Sequence, residues 1–193
     1  MPAPTRAHPL KRQPIAKRRP HDPKQKLAAG AAFPILAWPT AGGGTLNLAA
    51  IPGWRLLAVY RGKHCPLCKR YFKTLDGLLD EFRTAGVTVA AVSADPKEKA
   101  EADVAEHGWR FPVGYGLTIE NMHTLGLYIS DPRSPQETDR PFAEPGLFLV
   151  NPQGNAQIID VSNAPFARPD LQMILNGIKT IIEKSYPVRG THG

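Results

Sequence analysis

The sequence predicts an α/β domain with a central mixed β-sheet flanked by helices on both faces. Three observations lead there. Arg55–Tyr60 and Val87–Val92 are nearly continuous apolar runs of the kind buried on both sides of a sheet. Each is followed by a stretch with helical periodicity. A third pair of apolar runs, Leu147–Val150 and Ala156–Val161, flanks the turn Asn151-Pro152-Gln153-Gly154 and reads as a hairpin, with an amphipathic helix after it. That order gives a sheet sandwiched between layers of helix. At 193 residues, one domain plus a tail is expected.

Residues 1–26 are expected to be a basic, Pro-rich disordered tail, and 27–193 the domain. The net charge of +7 lies entirely in the tail, where eight Lys/Arg face the single acid Asp22. The remainder is neutral, so the basic excess is no sign of a nucleic-acid-binding domain and no specific nucleic-acid partner is expected. Six prolines keep the tail extended and spoil the amphipathic helix of a transit peptide. The apolar stretch Leu27–Trp38 is too short to span a bilayer and is broken by Pro34. A cytoplasmic protein is the default, and an organellar address the runner-up.

Within the domain, Phe33–Trp38 reads as a short edge strand, Gly42-Gly43-Gly44 as a turn and Thr45–Leu48 as a second short strand. After the strand at 55–60, Pro66 suits a first helical position. Leu67, Tyr71, Leu75, Leu78, Leu79 and Phe82 give one apolar face, which Gly86 ends. After the strand at 87–92, Asp95 is a plausible N-cap and Pro96 a first helical residue for a helix running to His107. Phe111–Tyr115 is extended, Ile119–Leu127 a short helix and Asp131–Glu144 a loop. Arg168-Pro169-Asp170 opens the last helix.

The only two cysteines stand in Arg61-Gly62-Lys63-His64-Cys65-Pro66-Leu67-Cys68-Lys69-Arg70, at the strand-to-helix junction. A Cys-x-x-Cys there marks a redox site. The thiolate is the nucleophile, and a helix N-terminus supplies unpaired N–H groups and a positive dipole end that favour an anion. Both sulfurs can meet within one turn, so attack by one and closure by the other is easy. A bland pair of buried thiols fits the helix-start position less well. Zinc would need four ligands, with only His64, His107 and His123 as candidates beyond the cysteines, and haem attachment would need His where Lys69 stands. No cofactor and no metal is called for.

The domain resembles the thioredoxin-like superfamily, and most closely its AhpC/TSA (peroxiredoxin-like) family, over about residues 27–185. Gly30-Ala31-Ala32-Phe33-Pro34 looks like that family's opening segment. Leu57–Gly62 with Cys65-Pro66-Leu67-Cys68 looks like its strand and active-site loop, and Asn151–Gly154 is similar to its hairpin turn. Pro145 looks like the superfamily's cis-proline packed against the cysteines. The resemblance implies a thioredoxin-like fold and places Cys68 at the peroxidatic position and Cys65 at the position of a threonine. Arg61 stands in place of a proline, and Glu144-Pro145-Gly146 in place of the peroxide-site arginine.

The expected function is that of a thiol-dependent oxidoreductase, an antioxidant reducing hydroperoxides through a Cys65–Cys68 disulfide. An external dithiol reductant, thioredoxin- or glutathione-like, would regenerate it. An alternative is a thiol–disulfide oxidoreductase acting on protein disulfides, with Cys65 as nucleophile and His64 helping to stabilise the thiolate. A third reading is a redox-inert binding module. Catalytic Cys65 and Cys68, supported by His64, Pro66 and Pro145, form the expected site.

Overall fold

The structure, a computed structural model, describes residues 26–192, so all of the expected tail but Lys26 lies outside the described residues. β1 (Ala37–Pro39) and β2 (Thr45–Asn47) form a small hairpin, followed by one 3-10 turn at Leu48–Ala50. Then come β3 (Trp54–Val59), α1 (Pro66–Gly77), α2 (Leu79–Thr84), β4 (Val87–Val92), α3 (Lys97–His107), β5 (Val113–Gly114) and α4 (Ile119–Thr124). β6 (Ile129–Ser130), just ahead of the expected loop, pairs with β7 (Phe142–Ala143) near its end, and β8 (Gly146–Val150), β9 (Ala156–Val161) and α5 (Leu171–Lys184) close the domain.

The main sheet has the order β5-β4-β3-β8-β9. β3 lies parallel to β4, with Leu56 beside Val89, and antiparallel to β8, with Leu56 beside Leu149. Successive side chains of a strand point to opposite faces. Leu56, Ala58 and Tyr60 therefore join a core with Phe72, Leu75 and Phe82 of α1 and α2 and Leu175 and Ile178 of α5. Leu57 and Val59 join the opposite core, with Trp38 and Leu46 of the first hairpin and Met122 of α4. Burying each such leucine stabilises the fold by roughly 2 kcal/mol. Because both faces are covered, β3 is apolar but for Arg55, whose guanidinium donates to the carbonyls of Ile51, Gly53 and Asn151, and its far end delivers the cysteine loop.

The expected helix after the cysteines is two helices. α1 stops at Gly77, and Leu78 takes φ −94° and ψ 0° between the two. Glycine is among the weakest helix formers, and the bend keeps Leu79 and Phe82 on the core. The expected edge strand at Phe33–Trp38 is confined to Ala37–Pro39. Upstream, Gly30 and Phe33 instead donate N–H to the carbonyls of Ala156 and Gly154.

Asp95 does not cap α3. Pro96 holds the cap position without a side-chain bond, and the Asp95 carboxylate turns back towards the cysteine loop. The bond before Pro145 is trans, contrary to the cis-proline expected there, since no cis peptide occurs among the described residues. β7 ends at Ala143 and β8 starts at Gly146, so Pro145 sits in the two-residue link between them. The Pro145 carbonyl then accepts the Ser162 N–H at 3.0 Å, as a continuing strand would.

Candidate active site

Cys65 is the N-cap of α1, and Pro66 follows at the first helical position, where its missing N–H costs nothing. The Cys65 sulfur accepts the Cys68 N–H at 3.2 Å. The two cysteines are joined as a disulfide, with Cα atoms 5.3 Å apart. Each is only 1% exposed.

The loop before them is fixed by Asp95, whose carboxylate accepts the Lys63 N–H at 2.6 Å. Gly62 makes that approach possible. Its φ is +122°, and a Cβ there would lie 2.6 Å from an Asp95 oxygen. Burial raises the Asp95 pKa and the Lys63 N–H opposes that rise.

Arg168, in the loop before α5, reaches Cys68. Its Nη2 donates to Cys68 Sγ at 2.8 Å, where the disulfide sulfur stands in for the thiolate of the reduced protein. The guanidinium lies over the Tyr71 ring, 4.9 Å from its centroid, and the Tyr71 hydroxyl donates to the Pro169 carbonyl at 3.0 Å. Burial lowers the Arg168 pKa to about 10, so it stays cationic near neutrality. Leu67, Arg70, Tyr71, Phe166 and Arg168 border a cleft of about 390 Å³. Pro145 lines a narrow space shared with Tyr71 and Arg168.

On the other side, His64 is half-buried against Phe142, with ring centroids 4.6 Å apart. Neither ring nitrogen has a hydrogen-bond partner among the described residues. Burial first, then the Arg61 charge, lowers its pKa to about 4. The neutral imidazole therefore brings no positive charge to a thiolate near neutral pH. Arg61 faces Glu137 at 3.4 Å and Glu144 at 3.3 Å, and lies over Phe142. The position where the resemblance leads one to expect an arginine is thus held by an acid that pairs with Arg61. Arg140 pairs with its neighbour Asp139.

Residues 29–159 match the AhpC/TSA family. The chain belongs to that family. It is a thiol-based oxidoreductase with the thioredoxin-like fold. Similar solved structures include a cysteine-to-serine mutant of peroxiredoxin 6 from Arenicola marina, 21% identical, with a TM-score of 0.68 over 82% of this chain and 75% of that one. AhpC from Mycobacterium bovis is 16% identical, with a TM-score of 0.69 over 88% of this chain and 99% of that one. A peroxiredoxin-like protein from Aquifex aeolicus is 14% identical, with a TM-score of 0.69 over 81% and 89%. No curated protein gives a significant match.

Within this AhpC/TSA domain the structure brings Cys65, Cys68 and Pro66 together at one helix start, with His64 and Pro145 at opposite margins. Sequence reasoning missed Asp95 and Arg168 as site residues. Asp95 looked like a helix cap, and Arg168 like part of a helix opening. The sole available sign for Arg168 was a basic residue just ahead of an N-cap aspartate, which says nothing of a sulfur 100 residues away.

Proposed function

We propose that the protein is a peroxiredoxin-like thiol peroxidase in which Cys68 attacks the hydroperoxide and Cys65 resolves. The observation that carries this reading is the Arg168 guanidinium 2.8 Å from Cys68 Sγ. A guanidinium there favours the thiolate over the thiol and offers further N–H donors to a peroxide oxygen. In the first step the Cys68 thiolate takes the outer peroxide oxygen, the O–O bond breaks, and an alcohol or water leaves after taking a proton. Cys68 becomes a sulfenic acid. The Cys65 thiolate then attacks that sulfur, a hydroxide leaves as water, and the Cys65–Cys68 disulfide forms. An external dithiol returns both thiols by exchange and is itself oxidised.

A second reading keeps Cys65 as nucleophile towards protein disulfides. It is favoured by the Cys68 N–H directed at the Cys65 sulfur from the helix N-terminus. Single-turnover trapping separates the two. Peroxide should convert reduced Cys65→Ser protein to a sulfenic acid that a diketone reagent captures, and should leave Cys68→Ser protein unlabelled. Capture of a mixed disulfide by Cys68→Ser alone would transfer the nucleophile to Cys65. A wild-type protein that does not cycle between dithiol and disulfide would sink both readings.

A further inference from the structure

Asp103 is a fully buried carboxylate on α3, and neither of its oxygens has a hydrogen-bond partner among the described residues. A lone buried carboxylate is costly, and a fold keeps one where opposite charge answers it. Here the answer is two ammonium groups, Lys63 Nζ at 3.6 Å and Lys69 Nζ at 3.5 Å. Lys63 lies two residues before Cys65, and Lys69 directly follows Cys68. One carboxylate thus gathers a lysine from each flank of the motif.

Asp103, Glu106 and His107 place one ligand atom each within 4.8 Å of one another, the spacing of a cation site on a helix. The chain supplies that cation itself, because Lys63 also bonds Glu106 at 3.1 Å. Other charged and titratable groups surround the motif. His107 sits beside Glu106 on α3, and Asp95 holds the Lys63 N–H from the end of β4. The Tyr60 hydroxyl at the end of β3 is kept protonated by burial, and Arg168 touches Cys68 from the α5 side. Asp103 alone among the described residues pairs with both lysines.

We propose that Asp103 is a positioning residue of the redox site, drawing Lys63 and Lys69 towards itself and away from the cysteine pair, and so setting the pH at which the reactive thiol ionises. The sign follows from charge. Removing the carboxylate makes the surroundings of the sulfurs more positive and favours thiolate. Removing an ammonium does the reverse.

The proposal rests on the thiol chemistry given above but not on the choice of oxidant. Its test is the pH dependence of iodoacetamide alkylation of the reduced full-length protein. Asp103→Asn should lower the alkylation midpoint, and Lys69→Met should raise it, each by about one pH unit. The double variant should return close to wild type. Midpoints that stay put, or that shift in the same direction in both single variants, would overturn the proposal, since a merely structural role predicts no opposite signs. If Asp103→Asn does not fold, Asp103→Ser takes its place, and a midpoint that does not fall in that variant overturns the proposal. Peroxide consumption by the wild type, measured separately, judges the peroxidase reading by itself.

Discussion

The Cys65 side is held by its own helix and by the turn after the adjacent strand, whereas the Cys68 sulfur is reached from the far end of the domain. The Cys65 sulfur takes the N–H of a residue three positions on, and its loop is held by Asp95 at the end of the adjacent strand. The Cys68 sulfur takes a guanidinium from Arg168, delivered by the loop between β9 and α5. A local N–H comes with the helix itself, so any cap residue with an acceptor in its side chain would receive it. The guanidinium is there only when the whole sheet has closed. The two halves of the motif therefore depend on different parts of folding, and they should respond to different substitutions.

The sharpest way to break this contrast is Arg168→Met. Peroxide turnover should fall about 100-fold, the usual cost of losing one preorganised donor to a developing charge. The alkylation midpoint of Cys68 should rise while that of Cys65 stays, each read in the protein lacking the other cysteine. Equal loss at both sulfurs would show that the division is false. On the Cys65 side, Gly62→Ala should destabilise the fold by about 3 kcal/mol in denaturant titration, because φ +122° and the Asp95 oxygens both exclude a Cβ. Tyr71→Phe removes the bond to Pro169 that steadies the Arg168 loop. It should cost about 1 kcal/mol and lower turnover less than Arg168→Met does.

The smallest effect concerns His64. Its folded pKa of about 4 lies below the ordinary 6.5, so the unfolded chain binds more protons between those values. The stability it contributes is complete above pH 6.5 and is lost as pH falls to about 4. Denaturant midpoints of wild type and His64→Asn should converge over that window. A constant gap would mean that the ring does not titrate there.

The same division separates what the sequence disclosed from what it hid. β3, β4, the closing hairpin and the opening of α5 after Arg168-Pro169-Asp170 follow from apolar runs, turn residues and helical periodicity, and each occupies its expected place. Cys65 and Pro66 were legible for the same reason, because position at a helix start is a local property. Asp95 was misread because a cap and a loop clamp use the same residue type, and only the turn after β4 decides between them. Arg168 and Asp103 were invisible because their partners lie in other elements. Pro145 was expected cis on resemblance alone, and no local pattern around it bears on the isomer.

Burial of both sulfurs has a kinetic consequence. A small oxidant needs only a narrow channel to a buried cysteine, but a dithiol protein must bring its own sulfur into line with the disulfide. Reduction then waits on local opening of the chain, and its rate should level off as reductant concentration rises, at a plateau set by that opening. Stopped-flow reduction over a wide range of dithiol concentrations would reveal that ceiling, whereas oxidation by peroxide should keep rising linearly. The fold would thereby meter its own recovery, sorting the two halves of the cycle by the size of the molecule that must enter.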